Sequence, residues 1–328
     1  MNVLKNKTIL ITGGTGSFGQ QFTKIVLDEY QPNVVRIFSR GEMKQFEMKK
    51  KFQHPNIRYF IGDVRDKERL HRAMAGVDIV VHAAALKQVP ACEYNPIEAI
   101  RTNVEGAINI IDTAIDNGVE YVMALSTDKA VHPVNLYGAT KMTAEKLFIQ
   151  ANTYSGLADT KFSCVRYGNV IGSRGSVIPL FEEQKKTGTI TLTDDRMTRF
   201  WITLESGARF SINSINKMKG GEIFVPKIPS MSLLDLANVI APKAKKEVIG
   251  IRPGEKLHET LLTEDEARHS KEFDNYYVIE SEQELPYESK RKLIGSKPLF
   301  DGFKYTSDTN SQQLTKKEIL KITKRLNS

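Results

Sequence analysis

The chain has 328 residues, 40% hydrophobic and 26% charged, a balance expected of a globular protein of about two domains. Its 22 Gly and 12 Pro are too few and too unperiodic for a fibre, and no apolar run approaches the roughly 18 residues that span a bilayer. The 47 Lys and Arg against 39 Asp and Glu leave a net +8, which admits nucleic acid, an acidic membrane surface or anionic small molecules as partners.

The densest basic runs, 49–51, 243–246 and 316–325, read as solvated faces. Cys92 and Cys164 make neither a disulfide framework nor a metal cluster, so a reducing cytoplasm is the expected compartment. The apolar stretch at 8–12 runs straight into a glycine turn and reads as a buried strand, not a leader peptide.

The first half alternates short apolar runs with helical spacing. Strands are predicted at 8–12, 34–38, 57–61, 79–82, 121–126 and 162–166, with helices at 16–29, 44–51, 67–74, 96–117 and 137–154. Strands joined by helical crossovers run parallel and are covered on both faces. The expectation is an α/β fold, a Rossmann-type doubly wound parallel sheet over 1–167, with a smaller mixed α/β unit over 168–328. The chain is free to cross between the two. In the second half, short strands are predicted at 190–192, 200–203 and 223–226, and helices at 177–186, 204–215 and 233–240. Thr315-Lys316-Lys317-Glu318 is a capping box, and Ile319, Leu320, Ile322 and Leu326 give the last helix an apolar face.

Thr12-Gly13-Gly14-Thr15-Gly16-Ser17-Phe18-Gly19 closes the first strand and opens the first helix. Gly13 permits the tight turn, Gly16 lets the backbone approach a pyrophosphate, and Gly19 lets helix and strand pack closely. Thr15, Ser17 and Phe18 complete the turn, and the helix N-terminus offers N–H groups to phosphate. In an NAD enzyme a carboxylate about 20 residues on holds the ribose 2′-hydroxyl. Here the second strand ends in Ser39-Arg40, with Lys44 a turn later, groups that suit a 2′-phosphate. The expected cofactor is NADP, with Glu42 as the residue that favours NAD. Asp63-Val64 follows the third strand, where the carboxylate can accept from the adenine amino group. In His82-Ala83-Ala84-Ala85, the small Ala83 and Ala84 leave room along the sheet edge, and His82 reads as structural. No zinc-type spacing occurs, so no metal is expected.

The fifth strand ends in Ser126-Thr127-Asp128-Lys129, and Tyr137-Gly138-Ala139-Thr140-Lys141 follows. Tyr137 and Lys141 share a helix face, where the ammonium would lower the phenol pKa and hold a nicotinamide ribose. Thr127 can hydrogen-bond the same substrate oxygen. With the glycine turn, Asn103 and Arg166-Tyr167-Gly168-Asn169-Val170, the pattern resembles the extended short-chain dehydrogenase/reductases that act on nucleotide sugars. In that family, retaining 4,6-dehydratases carry Asp-Glu after the threonine, and simple 4-epimerases lack the acid pair. Asp128-Lys129, Leu86-Lys87-Gln88-Val89-Pro90 and Met197-Thr198-Arg199-Phe200-Trp201 are similar to the inverting UDP-N-acetylglucosamine 4,6-dehydratases of the pseudaminic acid type, over about 8–259. Related capsule-pathway enzymes carry methionine where this chain has Tyr137.

The resemblance implies UDP-N-acetylglucosamine as substrate and the second half as mainly a substrate-binding unit. Lys87, Asn169 and Arg199 are implied substrate contacts, and Glu255 a partner of the uridine ribose. Arg174 and Arg252 suit the diphosphate, because guanidinium forks match phosphate oxygens. Tyr137, as phenolate, would take the proton of the 4-hydroxyl as a hydride leaves carbon 4. Lys129, its pKa lowered by burial, would take the carbon 5 proton, and Asp128 would protonate the departing 6-hydroxyl. Hydride return to carbon 6 and a proton on the opposite face of carbon 5 give inversion. Which of Lys129 and Tyr137 handles each proton stays open. Two anionic ligands account for the excess charge, so neither nucleic acid nor membrane is an expected partner. The family commonly forms dimers or hexamers, so a homo-oligomer is expected. Two alternatives remain: a 4-epimerase or ketoreductase, against which Asp128-Lys129 counts, and a non-enzymatic NADP- or nucleic-acid-binding protein, against which Thr127, Tyr137 and Lys141 count.

Overall fold

The computed structural model describes residues 2–156, 159–172, 177–282 and 295–326, with the side chains of 324–326 left out. In the first half, strands β1 (Thr8–Thr12), β2 (Val34–Ser39), β3 (Ile57–Ile61), β4 (Ile79–His82), β5 (Tyr121–Thr127) and β6 (Lys161–Tyr167) alternate with helices. The helices are α1 (Ser17–Glu29), α2 (Glu42–Lys51), α3 (Lys67–Met74), α4 (Val89–Tyr94), α5 (Pro96–Ile100), α6 (Gly106–Asp116) and α7 (Leu136–Ala151). Each residue of β1 and β4 is buried, as a central parallel strand between two helical layers requires.

The second half contributes β7 (Asn169–Ile171), α8 (Val177–Lys185), β8 (Thr189–Leu192), β9 (Thr198–Thr203), α9 (Leu204–Ile215), β10 (Ile223–Pro226), β11 (Ser230–Ser232), α10 (Leu233–Ile240) and β12 (Lys245–Val248). Then come β13 (Thr260–Leu262), α11 (Glu264–Ala267), β14 (Ser270–Glu272), β15 (Tyr276–Ile279), β16 (Lys297–Pro298), β17 (Tyr305–Thr306) and α12 (Lys316–Leu326). The main sheet has 10 strands in the order β16-β14-β15-β10-β6-β5-β4-β1-β2-β3. From β3 to β10 neighbours pair parallel, and β15, β14 and β16 extend the edge antiparallel. The fold is therefore the expected doubly wound α/β sheet.

The order reverses between β1 and β4, which pair through Thr12 and His82 at their carboxyl ends. In such sheets the crevice at this switch point is where ligands bind. Around it the strand ends of β5 and β6 pair through Thr127 and Tyr167. A second, smaller core gathers Ile171, Phe181, Leu192, Trp201, Leu236 and Ile319 beyond the sheet.

Several details differ from the sequence reading. Residues 223–226 join the main sheet beside β6, because their parallel pairing with Cys164 and Val165 is non-local. The long helix predicted over 96–117 contains a π-turn, Arg101–Glu105. That turn aims Asn103 inward, where its Nδ2 donates to the Leu86 carbonyl (2.9 Å) and to Thr140 Oγ1 (3.0 Å). Leu320 lies exposed, since its position on α12 faces away from Ile319, which is buried. The Thr315–Glu318 capping contacts form as expected.

One buried ion cluster fixes α7 against the sheet. Arg166 on β6 forks onto Glu145 of α7 (2.7 and 3.0 Å) and onto Glu266 of α11 (2.8 and 3.0 Å). A buried charge stripped of its partner is strongly destabilising. Arg166→Met should therefore lower the free energy of unfolding by about 3–5 kcal/mol, measured by chemical denaturation. A loss under about 1 kcal/mol would show that the cluster does not secure α7.

Candidate active site

The first component is the turn between β1 and α1. Gly13 sits at φ +65°, and a Cβ there would meet Ala84 N at 2.9 Å and the Ala83 carbonyl oxygen at 3.0 Å. A side chain at this position is excluded twice, by the left-handed backbone and by the β4 end. The α1 N-cap is Gly16, which brings no side-chain cap, so the first N–H groups of α1 keep their donor capacity for a ligand. Thr12 Oγ1 accepts from the N–H groups of Ala83 and Ala84, at 3.2 Å each, and joins the two strand ends. These residues fit a dinucleotide pyrophosphate.

Arg40 extends from the end of β2, more than half exposed, with Asp63 at 3.8 Å. Lys44 is exposed on α2, and Ser39 Oγ accepts from Gln45 Nε2 at 3.1 Å. Asp63 already receives three bonds from Arg65, through the backbone N–H (3.0 Å), Nε (3.0 Å) and Nη2 (2.7 Å). An adenine amino group there would have to share an occupied carboxylate. Val64 is buried, and its carbonyl accepts from Asn109.

The second component lies where β5 meets α7. Asn135 caps α7, its Oδ1 accepting from Gly138 N at 2.8 Å. The Asn135 side chain also donates to the Gly254 carbonyl at 2.7 Å, which draws the 252–256 loop to the same helix end. At Gly138 a Cβ would strike the carbonyl of Lys129. Only glycine lets the first turn of α7 close onto the β5 end, and this closeness assembles Asp128, Lys129 and Tyr137.

Asp128 has no exposed surface; its Oδ1 accepts from Thr127 Oγ1 (2.9 Å) and from Lys129 Nζ (3.1 Å), while its Oδ2 has no hydrogen-bond partner among the described residues. Lys129 Nζ also donates to Asn169 Oδ1 (3.2 Å) and faces Glu259 at 3.5 Å. Burial opposes the charge of Lys129, but Asp128 and Glu259 outweigh it and hold the ammonium above its ordinary pKa. This corrects the expectation that burial alone lowers it. The Tyr137 phenol is pushed up to about 12 by burial, against the opposing influence of Lys129 and a hydrogen bond with Thr127. The cation acting on the phenol is therefore Lys129, whereas Lys141 was expected in that role. Lys141 is itself lowered by burial, opposed by Cys164 and Glu145.

The remaining expected residues fall in different places. Lys87 is exposed at the site edge, and its pKa is lowered by desolvation and by the Lys129 charge. Arg199 is buried, and its Nη1 donates to the carbonyls of Thr198 (2.7 Å) and Leu257 (3.1 Å), so it braces the loop behind the site. Arg252 is largely exposed at 4.0 Å from Glu255, whose Oε2 is buried without a hydrogen-bond partner among the described residues. Arg174 lies outside the described residues. Spacing singles out neither Glu259 nor Lys256. Their one sequence signal is the i, i+3 interval just after the Arg252-Pro253-Gly254 turn.

The family profile described as polysaccharide biosynthesis protein matches residues 9–281, and the chain belongs to that family. A protein of Campylobacter jejuni (serotype O:23/36) named UDP-N-acetylglucosamine 4,6-dehydratase (inverting) is 51% identical over 327 residues, covering 98% of both chains. A Rickettsia canadensis protein named UDP-glucose 4-epimerase is 40% identical over 331 residues, covering 98% of this chain and 96% of its own. The X-ray structure of Pen from Bacillus thuringiensis superposes with a TM-score of 0.90 at 42% identity, covering 99% of each chain.

At the floor of the site His82 Nδ1 lies 2.9 Å from Thr12 Oγ1. Burial, helped by the Lys141 charge, pushes His82 from 6.5 down to about 3. Its folded pKa is depressed, so this contribution to stability is complete above 6.5 and is lost as pH falls from there toward 3. Between pH 7 and 5 the wild type should lose about 2 kcal/mol more than His82→Gln, since each pKa unit is worth about 1.4 kcal/mol. Parallel denaturation curves at the two pH values would contradict a neutral buried imidazole.

Proposed function

We propose that the chain is an inverting UDP-N-acetylglucosamine 4,6-dehydratase that uses NADP and catalyses the first step toward pseudaminic-acid-type sugars. The observation that carries the reading is the Asp128–Lys129 pair, at 3.1 Å, with Asp128 fully buried, its Oδ2 unpartnered among the described residues, and Tyr137 within reach of both charges. The name of the Campylobacter relative supports it. A nicotinamide dinucleotide, when bound, would supply the hydride chemistry at carbons 4 and 6 of the sugar. Gly13, Thr15, Gly16, Ser17, Phe18 and Gly19 hold the pyrophosphate, with Ala83 and Ala84 alongside. Ser39, Arg40 and Lys44 take the 2′-phosphate, and Lys141 the nicotinamide ribose.

Tyr137 takes the proton of the 4-hydroxyl as a phenolate, a form that burial opposes and the Lys129 charge favours. Once Tyr137 is a phenol, Lys129 has lost one negative neighbour and gives up its proton more readily. That proton passes from Nζ to Oδ1 of Asp128, 3.1 Å away, leaving a neutral amine beside a carboxylic acid. The amine takes the carbon 5 proton, the C–H electron pair forms the carbon 5–carbon 6 double bond, and the acid protonates the 6-hydroxyl as it leaves as water. This restores the ammonium and the carboxylate. Lys129 and Tyr137 are the groups available for the carbon 5 proton, one for its removal and one for its return on the opposite face. Lys87, Asn169, Arg252 and Glu255 face the nucleotide and sugar, while Arg199 acts from behind. The name of the Rickettsia relative favours a 4-epimerase, but an epimerase has no use for a buried acid poised for a 6-hydroxyl.

Incubation with UDP-N-acetylglucosamine in deuterated water should give a product that has lost water and carries deuterium at an inverted carbon 5. Lys129→Ala should slow this by about 10²–10⁴, the usual effect of removing a general base. An isomer of unchanged mass, or near wild-type turnover by Lys129→Ala, would overturn the assignment. Cofactor released by denaturing the purified protein should be NADP; NAD alone would remove Arg40 from its assigned role.

A further inference from the structure

Glu259 is buried to 2% exposure and faces three cations from three different segments. Its Oε1 lies 3.5 Å from Lys129 Nζ and 3.7 Å from Arg199 Nε, and its Oε2 lies 3.6 Å from Lys256 Nζ. Oε2 has no hydrogen-bond partner among the described residues. A buried carboxylate normally requires close hydrogen bonds, so this one is held chiefly by through-space attraction. Its backbone is pinned on both sides: Glu259 N donates to Ser307 Oγ, and Ser307 N donates to the Glu259 carbonyl, each at 2.9 Å. Ser307 directly follows β17, which pairs with β13 immediately after Glu259. The C-terminal segment thus frames one acid behind the β5 end.

We infer that Glu259 is a positioning residue for the elimination, a fixed negative charge that keeps Lys129 an ammonium at rest, so that the proton it passes to Asp128 is in place when the substrate binds. The charged and titratable groups around Lys129 are Asp128 on its own turn, Tyr137 of α7, Lys87 of the loop after β4, Arg199 of β9, and Lys256 and Glu259 before β13. Within this set, Asp128 donates and accepts the working proton, and Glu259 supplies a constant field. Lys256 acts in the opposite sense, since its charge and that of Lys129 disfavour one another. The consequence for turnover rests on the dehydratase reading; the effect on Lys129 does not.

The test reads Lys129 directly in the full-length protein. Its side chain is 26% exposed, enough to react with a small amine-selective reagent, and the modified peptide is quantified by mass spectrometry across pH. An opposite charge at this range moves a pKa by about 1–3 units. The labelling midpoint should fall by about that amount in Glu259→Gln, giving about 10- to 1,000-fold faster labelling at a fixed pH below it. In Lys256→Met the midpoint should rise. Thermal melts establish that each variant is folded. An unchanged midpoint in folded Glu259→Gln overturns the inference; if that variant does not fold, an unchanged midpoint in Lys256→Met does so. With UDP-N-acetylglucosamine, the descending limb of the pH–rate profile, where Lys129 loses to solvent the proton that Asp128 needs, should move to lower pH in Glu259→Gln by the same amount as the labelling midpoint. A uniform fall in rate at every pH would mark a merely structural role and overturn the inference. A wild type that forms no dehydrated product would defeat the dehydratase reading alone, with labelling still deciding the role of Glu259.

Discussion

The carbonyl of Lys129 lies against the Cα of Gly138, and the chemistry of the protein depends on that closeness. A methyl group at residue 138 would push the start of α7 away from the end of β5 and part the phenol of Tyr137 from the Asp128–Lys129 pair. Every other device around the site serves this junction. Asn135 caps the helix, Asn103 ties its Thr140 to the loop after β4, and Arg166 holds its Glu145. The junction also places three ionisable groups where each influences the next, so that protonation of one prepares another.

Charge balance then decides what the site can do. Lys129 is surrounded by Asp128, Glu259, Arg199 and Tyr137, and its ionisation reflects their sum more than its burial. An amine in a pocket without carboxylates would start neutral; here Lys129 starts charged, and in the proposed elimination its proton goes to Asp128. On that proposal one proton transfer forms base and acid together, as an elimination requires.

What the sequence discloses follows from how local each feature is. The Gly13–Gly19 turn and the Tyr137–Lys141 interval are encoded within a few residues, and the doubly wound sheet is legible from alternating strand and helix periods. The adjacency of Asp128 and Lys129 is equally local. The ionisation of Lys129 is not, because Arg199 and Glu259 arrive from distant segments and no spacing rule links them to residue 129. The same holds for β10, whose place beside β6 is set by non-local pairing, and for Asp63, whose carboxylate is taken up by the neighbouring Arg65. Leu320 shows the limit of a short apolar pattern: four apolar residues on a helix do not all fall on one face.

The most direct measurement is a crystal structure of the protein with NADP and UDP-N-acetylglucosamine bound. Carbon 5 of the sugar should lie toward Lys129 Nζ and the 6-hydroxyl within hydrogen-bond distance of the Asp128 carboxyl, with Tyr137 at the 4-hydroxyl. A sugar that meets Tyr137 while its 6-hydroxyl points to solvent, away from Asp128, would contradict the elimination and leave only chemistry at carbon 4.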